Sequence, residues 1–145
     1  MSEAAEQRVR ASFARQAFMR TLGATLLRVA PGEVDIELPF SEALVQQHGF
    51  LHAGVTTAIA DSACGYAALS LMPVDVAVLS VEFKVNMLAP AQGARFRAIG
   101  RVLRSGRTIT VCRGEVLAFD AQGDARPVLE MLATMMTARG RGFTD

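Results

Sequence analysis

The sequence predicts an α+β fold in which an antiparallel sheet curls around one enclosed helix, and three observations carry that prediction. Residues 54–71 have helical periodicity and are small or apolar on more than one side, as in a helix wrapped by other structure. Residues 26–40 read as a hairpin, with Pro31-Gly32 as its turn and period-two alternation in Val-Asp-Ile-Glu-Leu. Four long strand-like segments follow the helix through short turns, which describes a meander.

The totals agree with this and narrow the function. A length of 145 residues suits one domain with a real core and leaves little room for a second. With 51% hydrophobic and 20% charged residues the chain is globular, not disordered. Fifteen basic and fourteen acidic residues nearly cancel, so neither nucleic acid nor an anionic membrane is the expected partner. No apolar run approaches the roughly 18 residues of a membrane span, so no membrane insertion is expected. The residues after Met1 are polar, unlike a secretory leader. Cys64 and Cys112 lie in apolar surroundings and read as buried thiols, which suits a reducing compartment and a cytoplasmic location.

In chain order, residues 3–20 mix Val9, Phe13 and Phe18 with Arg and Glu as one amphipathic helix, expected as a cap lying across the sheet or as part of a ligand entrance. The hairpin follows, with Asp35 and Glu37 expected on a solvated face. Residues 41–53 form a loop or short helical turns. In the central helix Gly54, Ala58, Asp61, Gly65 and Ala68 recur at threes and fours as a narrow small-residue face. The strands are expected at 77–87, 94–103, 108–119 and 128–137, and the tail 139–145 is expected to be loose. In the first of them Val78, Ser80, Glu82, Lys84 and Asn86 alternate with Leu79, Val81, Phe83, Val85 and Met87.

Asp61 is the residue that asks for an explanation, because desolvating an unpaired carboxylate is costly. One explanation is structural, with the acid holding a neighbouring loop or a buried hydroxyl. The other is chemical. If Ala53 and Gly54 open the helix, their N–H groups lack intrahelical acceptors and sit at its positive end, a possible oxyanion hole. Asp61 is eight residues on, about 12 Å along the axis, out of reach of a carbonyl held at the same helix start. Should both groups serve one reaction, the site combines the helix start of one chain with Asp61 of another. His48 and His52 read as loop hydrogen-bonding or pocket residues; a metal site with Asp61 lacks the further ligands it would need. Phosphate-binding, dinucleotide and nucleophile-elbow patterns are absent.

With His52-Ala53-Gly54 followed by Asp61 nine residues after the His, and with Val78 to Pro90 as the next strand, the chain resembles the hotdog-fold acyl-CoA thioesterases. It is most similar to the phenylacetate-degradation type, over residues 20–138. The resemblance implies a hotdog fold, hydrolysis of acyl-CoA to free acid and coenzyme A, and a homodimer with shared active sites, or a homotetramer. No metal or separate cofactor is implied, since coenzyme A arrives with the substrate. Asp61 would be the base or nucleophile. The N–H of Ala53, with Gly54, would hold the carbonyl oxygen, His52 would shape the turn, and Ser80 would orient the water or the acid. Gln46 stands where many members carry Asn, and Ala53, where they carry Gly, keeps the N–H while narrowing the approach. Lys84, Arg104 and Arg107 are candidates for the coenzyme A phosphates; His48, Ala58 and Met87 are expected near the substrate, where the helix face bearing Ala58, Ala68 and Leu71 meets Met87 and Leu88. The alternatives are a dehydratase or isomerase of the same fold, and a non-catalytic acyl-CoA or fatty-acid binder.

Overall fold

The computed structural model describes residues 3–140, 142 and 145. Six antiparallel strands form one sheet in the order β1-β2-β4-β5-β6-β3. They are β1 (Thr25–Ala30), β2 (Glu33–Pro39), β3 (Ala77–Met87), β4 (Arg95–Ser105), β5 (Ile109–Phe119) and β6 (Ala125–Ala138). The sheet wraps around a central helix without closing into a barrel, which is the hotdog fold. That helix is α3 (Ala53–Leu69); α1 (Glu3–Arg15) and α2 (Ala17–Leu22) precede the sheet.

The small residues of α3 have a mechanical reason. Gly100 and Gly114 face each other across β4 and β5. A Cβ on Gly100 would lie 2.3 Å from the Ala63 carbonyl, and one on Gly114 would lie 3.0 Å from Cys64 Sγ. The helix backbone therefore rests on the sheet backbone, and Ala60, Ala63, Cys64 and Ala67 are fully buried there. Ile59, Phe96, Leu129 and Met135 fill the core around this contact. Gly100→Ala is expected to cost about 3 kcal/mol, the upper end for overpacking, whereas Gly65→Ala, with nothing within 4 Å, should gain up to about 1 kcal/mol from helix propensity. Urea unfolding of the two variants checks both signs.

Several expectations need correcting. Residues 3–20 form two helices, broken at Gln16, whose extended backbone (ψ 96°) follows α1. No Gly or Pro marks the break. The N-terminal helix packs against both β1 and α3, with Arg8, Ser12 and Gln16 meeting Leu69, Tyr66 and Ser62 in antiparallel order, so it borders a cleft as well as the sheet edge. Arg8 donates to the carbonyls of Leu69 (2.5 Å), Met72 (2.9 Å) and Pro73, where a cation meets the negative end of α3. Asp35 is 8% exposed instead of solvated; burial raises its carboxyl pKa, opposed by Arg28, Arg97 and Arg101. Glu37 is half-buried between Arg95 (2.9 Å) and Arg97 (3.1 Å). Ala68 is fully buried in the core, so it lines no substrate space. The tail is held at Asp145, which accepts from Ser12 Oγ (2.7 Å) and from the Val78 N–H (3.1 Å); residues 141, 143 and 144 lie outside the described residues.

Cys64 and Cys112 are buried free thiols. Burial pushes the Cys112 thiol up to about 12. No helix is long and apolar enough to cross a membrane among the described residues.

Candidate active site

Asp61 sits half-buried on α3, and Ser80 Oγ donates to its Oδ1 at 2.7 Å. A β-bulge makes this bond possible. Strict alternation would set Ser80 on one face with Glu82, Lys84 and Asn86, but the register against β6 shifts between Ser80 and Glu82. Ser80 instead pairs with Met135, Phe83 with Ala133, Val85 with Met131 and Met87 with Leu129. Those four partners are buried against the helix, so Ser80 shares the helix-facing side with Phe83, Val85 and Met87. One extra residue at Val81 thus turns Ser80 toward Asp61.

Burial raises the Asp61 carboxyl above its ordinary pKa, and the Ser80 hydrogen bond pulls it partly back. Ser80→Ala removes the lowering contribution, so the Asp61 pKa should move further up. A carboxyl ¹³C NMR titration reads this directly; an unchanged or lower midpoint would mean that the Ser80 bond does not stabilise the carboxylate.

At the start of the same helix, His52 is the N-cap residue. Its Nδ1 accepts from the Gly54 N–H at 2.8 Å, and its carbonyl accepts from the Val55 N–H at 2.9 Å. A Cβ on Gly54 would stand 3.0 Å from that Nδ1, which accounts for glycine there. The Gly54 N–H is therefore occupied, and the Ala53 N–H is the first-turn donor with no acceptor among the described residues. Ala53 opens onto a pocket of about 500 Å³, lined also by Gln46, Phe50, Thr56, Met87 and Leu88. Gln46 Oε1 accepts from the His48 N–H, which turns the amide NH₂ into the remaining donor of that side chain.

Asp61 opens onto a different cleft, of about 330 Å³, between α3, the start of β3 and the α1 end. One chain therefore presents a carboxylate with a raised pKa and, about 12 Å away along α3, an N–H at the helix start with no acceptor among the described residues. Brought together, such groups can add water to an acyl carbon and stabilise the oxyanion that forms.

The remaining expected residues are scattered. Met87 lies in the Ala53 pocket. Ala58 is half-buried and lines neither space, and His48 is exposed on the preceding loop. Lys84 is on the edge strand with its Nζ donating to Asn86 Oδ1 (3.1 Å). Arg104 and Arg107 are exposed at the β4–β5 turn, at the same end of the sheet as Ser80, since Ser105 pairs with Thr110, Thr110 with Met135 and Met135 with Ser80. His48, His52 and Asp61 do not converge, and no group of three metal-ligating side chains occurs among the described residues. Ser12, Gln16, Ser62 and Tyr66 border the Asp61 cleft and were not expected there. Ser62 and Tyr66 stand one and five residues after Asp61, off its i+3/i+4 stripe, so helical spacing does not flag them; the two from the N-terminal segment fit the ligand-entrance reading of residues 3–20.

Residues 48–123, just over half of the chain, match the family described as the thioesterase superfamily. The crystal structure of a thioesterase family protein from Silicibacter pomeroyi is similar with a TM-score of 0.92 and 51% identity, covering 94% of this chain and 99% of that one. The Escherichia coli PaaI protein from the phenylacetic acid degradation operon is similar in fold, with a TM-score of 0.81, 20% identity and coverage of 97% and 95%. In sequence, the 1,4-dihydroxy-2-naphthoyl-CoA hydrolase of Listeria monocytogenes is 28% identical over 91 residues, 63% of this chain and 74% of that one.

Proposed function

The chain belongs to the thioesterase superfamily, and from that premise we propose that it hydrolyses acyl-CoA thioesters at sites shared between two copies of itself. One observation carries the reading: the two half-sites lie at opposite ends of an unpaired edge strand. β3 has β6 on one side and, among the described residues, no strand on the other. Ser80, near its start, borders the Asp61 cleft, and Met87, at its end, borders the Ala53 pocket. Antiparallel pairing of β3 with its own copy about a two-fold near Phe83 and Lys84 would set the start of one strand beside the end of the other. Asp61 of each chain then meets Ala53 of the other. The same contact would cover Val81, Phe83, Met87 and Leu88, which are 53%, 42%, 46% and 53% exposed, and would remove an edge that is otherwise open to aggregation.

In this site the thioester carbonyl oxygen accepts from the Ala53 N–H, with Gln46 offering its amide nearby, while His52 fixes the turn. Asp61 removes a proton from water as it adds to the carbonyl carbon, or adds to that carbon itself and is released by water. Ser80 holds the carboxylate in place. Collapse of the tetrahedral adduct breaks the C–S bond and expels coenzyme A as thiolate, a good leaving group, so this set of groups suffices. Lys84, Arg104 and Arg107 are available to the phosphates.

Release of free thiol from a panel of short, medium, long and aromatic acyl-CoAs tests the activity, and light scattering on the eluting protein tests the assembly, dimer or tetramer. Turnover by a species of at least two chains is the expected result. Binding without thiol release would favour the non-catalytic alternative, and a changed acyl group on intact coenzyme A the dehydratase or isomerase.

A further inference from the structure

The outward residues of β5 repeat themselves about Gly114. Thr110, Cys112, Gly114, Val116 and Ala118 are buried on the side of α3, so strand alternation turns Ile109, Val111, Arg113, Glu115, Leu117 and Phe119 to the opposite face of the sheet. Approached from either end, that face presents apolar residues first and a charge next to Gly114, and the two charges have opposite sign. The alternation along β5 is unbroken, because the bulges lie in its neighbours, at Leu103 of β4 and Val128 of β6.

The face is open, and one of its charges is unmatched. Ile109 is 43% exposed, and Leu132, the β6 neighbour of Arg113, is 52% exposed. Arg113 is ion-paired with Glu130. Glu115 makes no ion pair or side-chain hydrogen bond among the described residues, and its charge reaches Arg113 only from a distance. No residue of β5 lines the Asp61 cleft or the Ala53 pocket.

We propose that this face is a second self-interface, on which β5 stacks against β5 of another copy about a two-fold axis that crosses the strand at Gly114. Sheets packed face to face lie about 10 Å apart with their strands nearly aligned. With the axis running across the strands, β5 is antiparallel to its copy. Arg113 then meets Glu115 of the other copy, Val111 meets Leu117, and Ile109 meets Phe119, which lies under the Arg95 guanidinium at 3.9 Å. An axis running along the strand would instead set Arg113 on Arg113 and Glu115 on Glu115, a repulsive arrangement. Solvation alone does not require the order to invert at Gly114. The inference rests on the edge pairing proposed above for β3. The row through Gly114 passes Met131 of β6 and reaches β3 at Val85, beside Phe83 and Lys84, where the edge-pairing two-fold lies. Pairing and stacking therefore share a centre, and together they close on four chains.

Light scattering on the eluting protein gives the chains per particle for the parent, for Arg113→Glu, for Glu115→Arg and for an equimolar mixture of the two variants, with thermal unfolding to confirm that each is folded. Four chains are expected for the parent and two for either variant, since each substitution brings like charges together across the axis. The mixture should return to four, because one variant presents only acids beside Gly114 and the other only bases. A parent of two chains overturns the inference, as do single variants that stay at four or a mixture that stays at two, and all three leave the hydrolase reading standing. A four-chain parent that releases no thiol from any acyl-CoA removes the hydrolase and keeps this interface, and a parent of one chain overturns both the interface and the shared site.

Discussion

Asparagine in place of Asp61 is expected to lower kcat/KM for every acyl-CoA that the parent hydrolyses by about 10²–10⁴-fold, the range for losing a positioned base. The amide matches the carboxylate in shape, and its oxygen can still accept from Ser80, so cleft geometry should persist while proton removal and nucleophilic attack do not. Stability supplies a control with the opposite sign. Burial raises the Asp61 pKa in the folded chain, so the folded state holds that proton more tightly than the unfolded chain does. The ionised carboxylate therefore costs stability, and the cost grows as pH rises from the unfolded value through the raised folded one. Asp61→Asn should accordingly unfold at the same temperature as the parent or a higher one at neutral pH. An inactive variant that also melts lower would mean that Asp61 organises the fold, and retained turnover would remove it from the chemistry.

Proline in place of Ala53 is the second large effect, because it deletes one hydrogen atom and little else. Ala53 is the first residue of α3, where proline is well tolerated. His52 before it has φ −62° and ψ 138°, the extended conformation that a residue preceding proline prefers. The helix should form normally, and loss of the oxyanion donor should reduce kcat by about 10²–10³-fold. Mixing unfolded Ala53→Pro and Asp61→Asn chains and refolding them together sharpens the test. In a shared-site dimer, each mixed pair has one site with both defects and one with neither. Random pairing then restores about a quarter of parent activity. Sites built within one chain would restore none, so the mixture distinguishes the two arrangements even though both variants are inactive alone.

The sequence made the enclosed helix legible because its small residues answer a local demand, the contact of α3 with Gly100 and Gly114. The distance between Ala53 and Asp61 was legible too, since it follows from helix geometry alone. The side on which Ser80 stands was not. Alternation along β3 looks unbroken from Val78 to Met87, and only pairing with β6 reveals the shift between Ser80 and Glu82. Asp35 was misjudged for a related reason, as its environment is set across strands: it pairs with Arg28 of β1 and Ile99 of β4, and Arg28, Arg97 and Arg101 act on its charge from those neighbours. The break at Gln16 has no local sequence cause; its side chain meets Ser62, 46 residues away.

The seating of α3 on Gly100 and Gly114 bears on how such a protein could diverge. With backbone against backbone, neither a larger nor a smaller side chain at Ala60 or Ala63 can be absorbed, so the helix that bears Asp61 is closed to gradual remodelling. Lineages descending from this chain would be expected to keep α3 nearly unaltered and to accumulate their differences on elements that do not touch Gly100 and Gly114, exchanging the surroundings while the helix stays fixed.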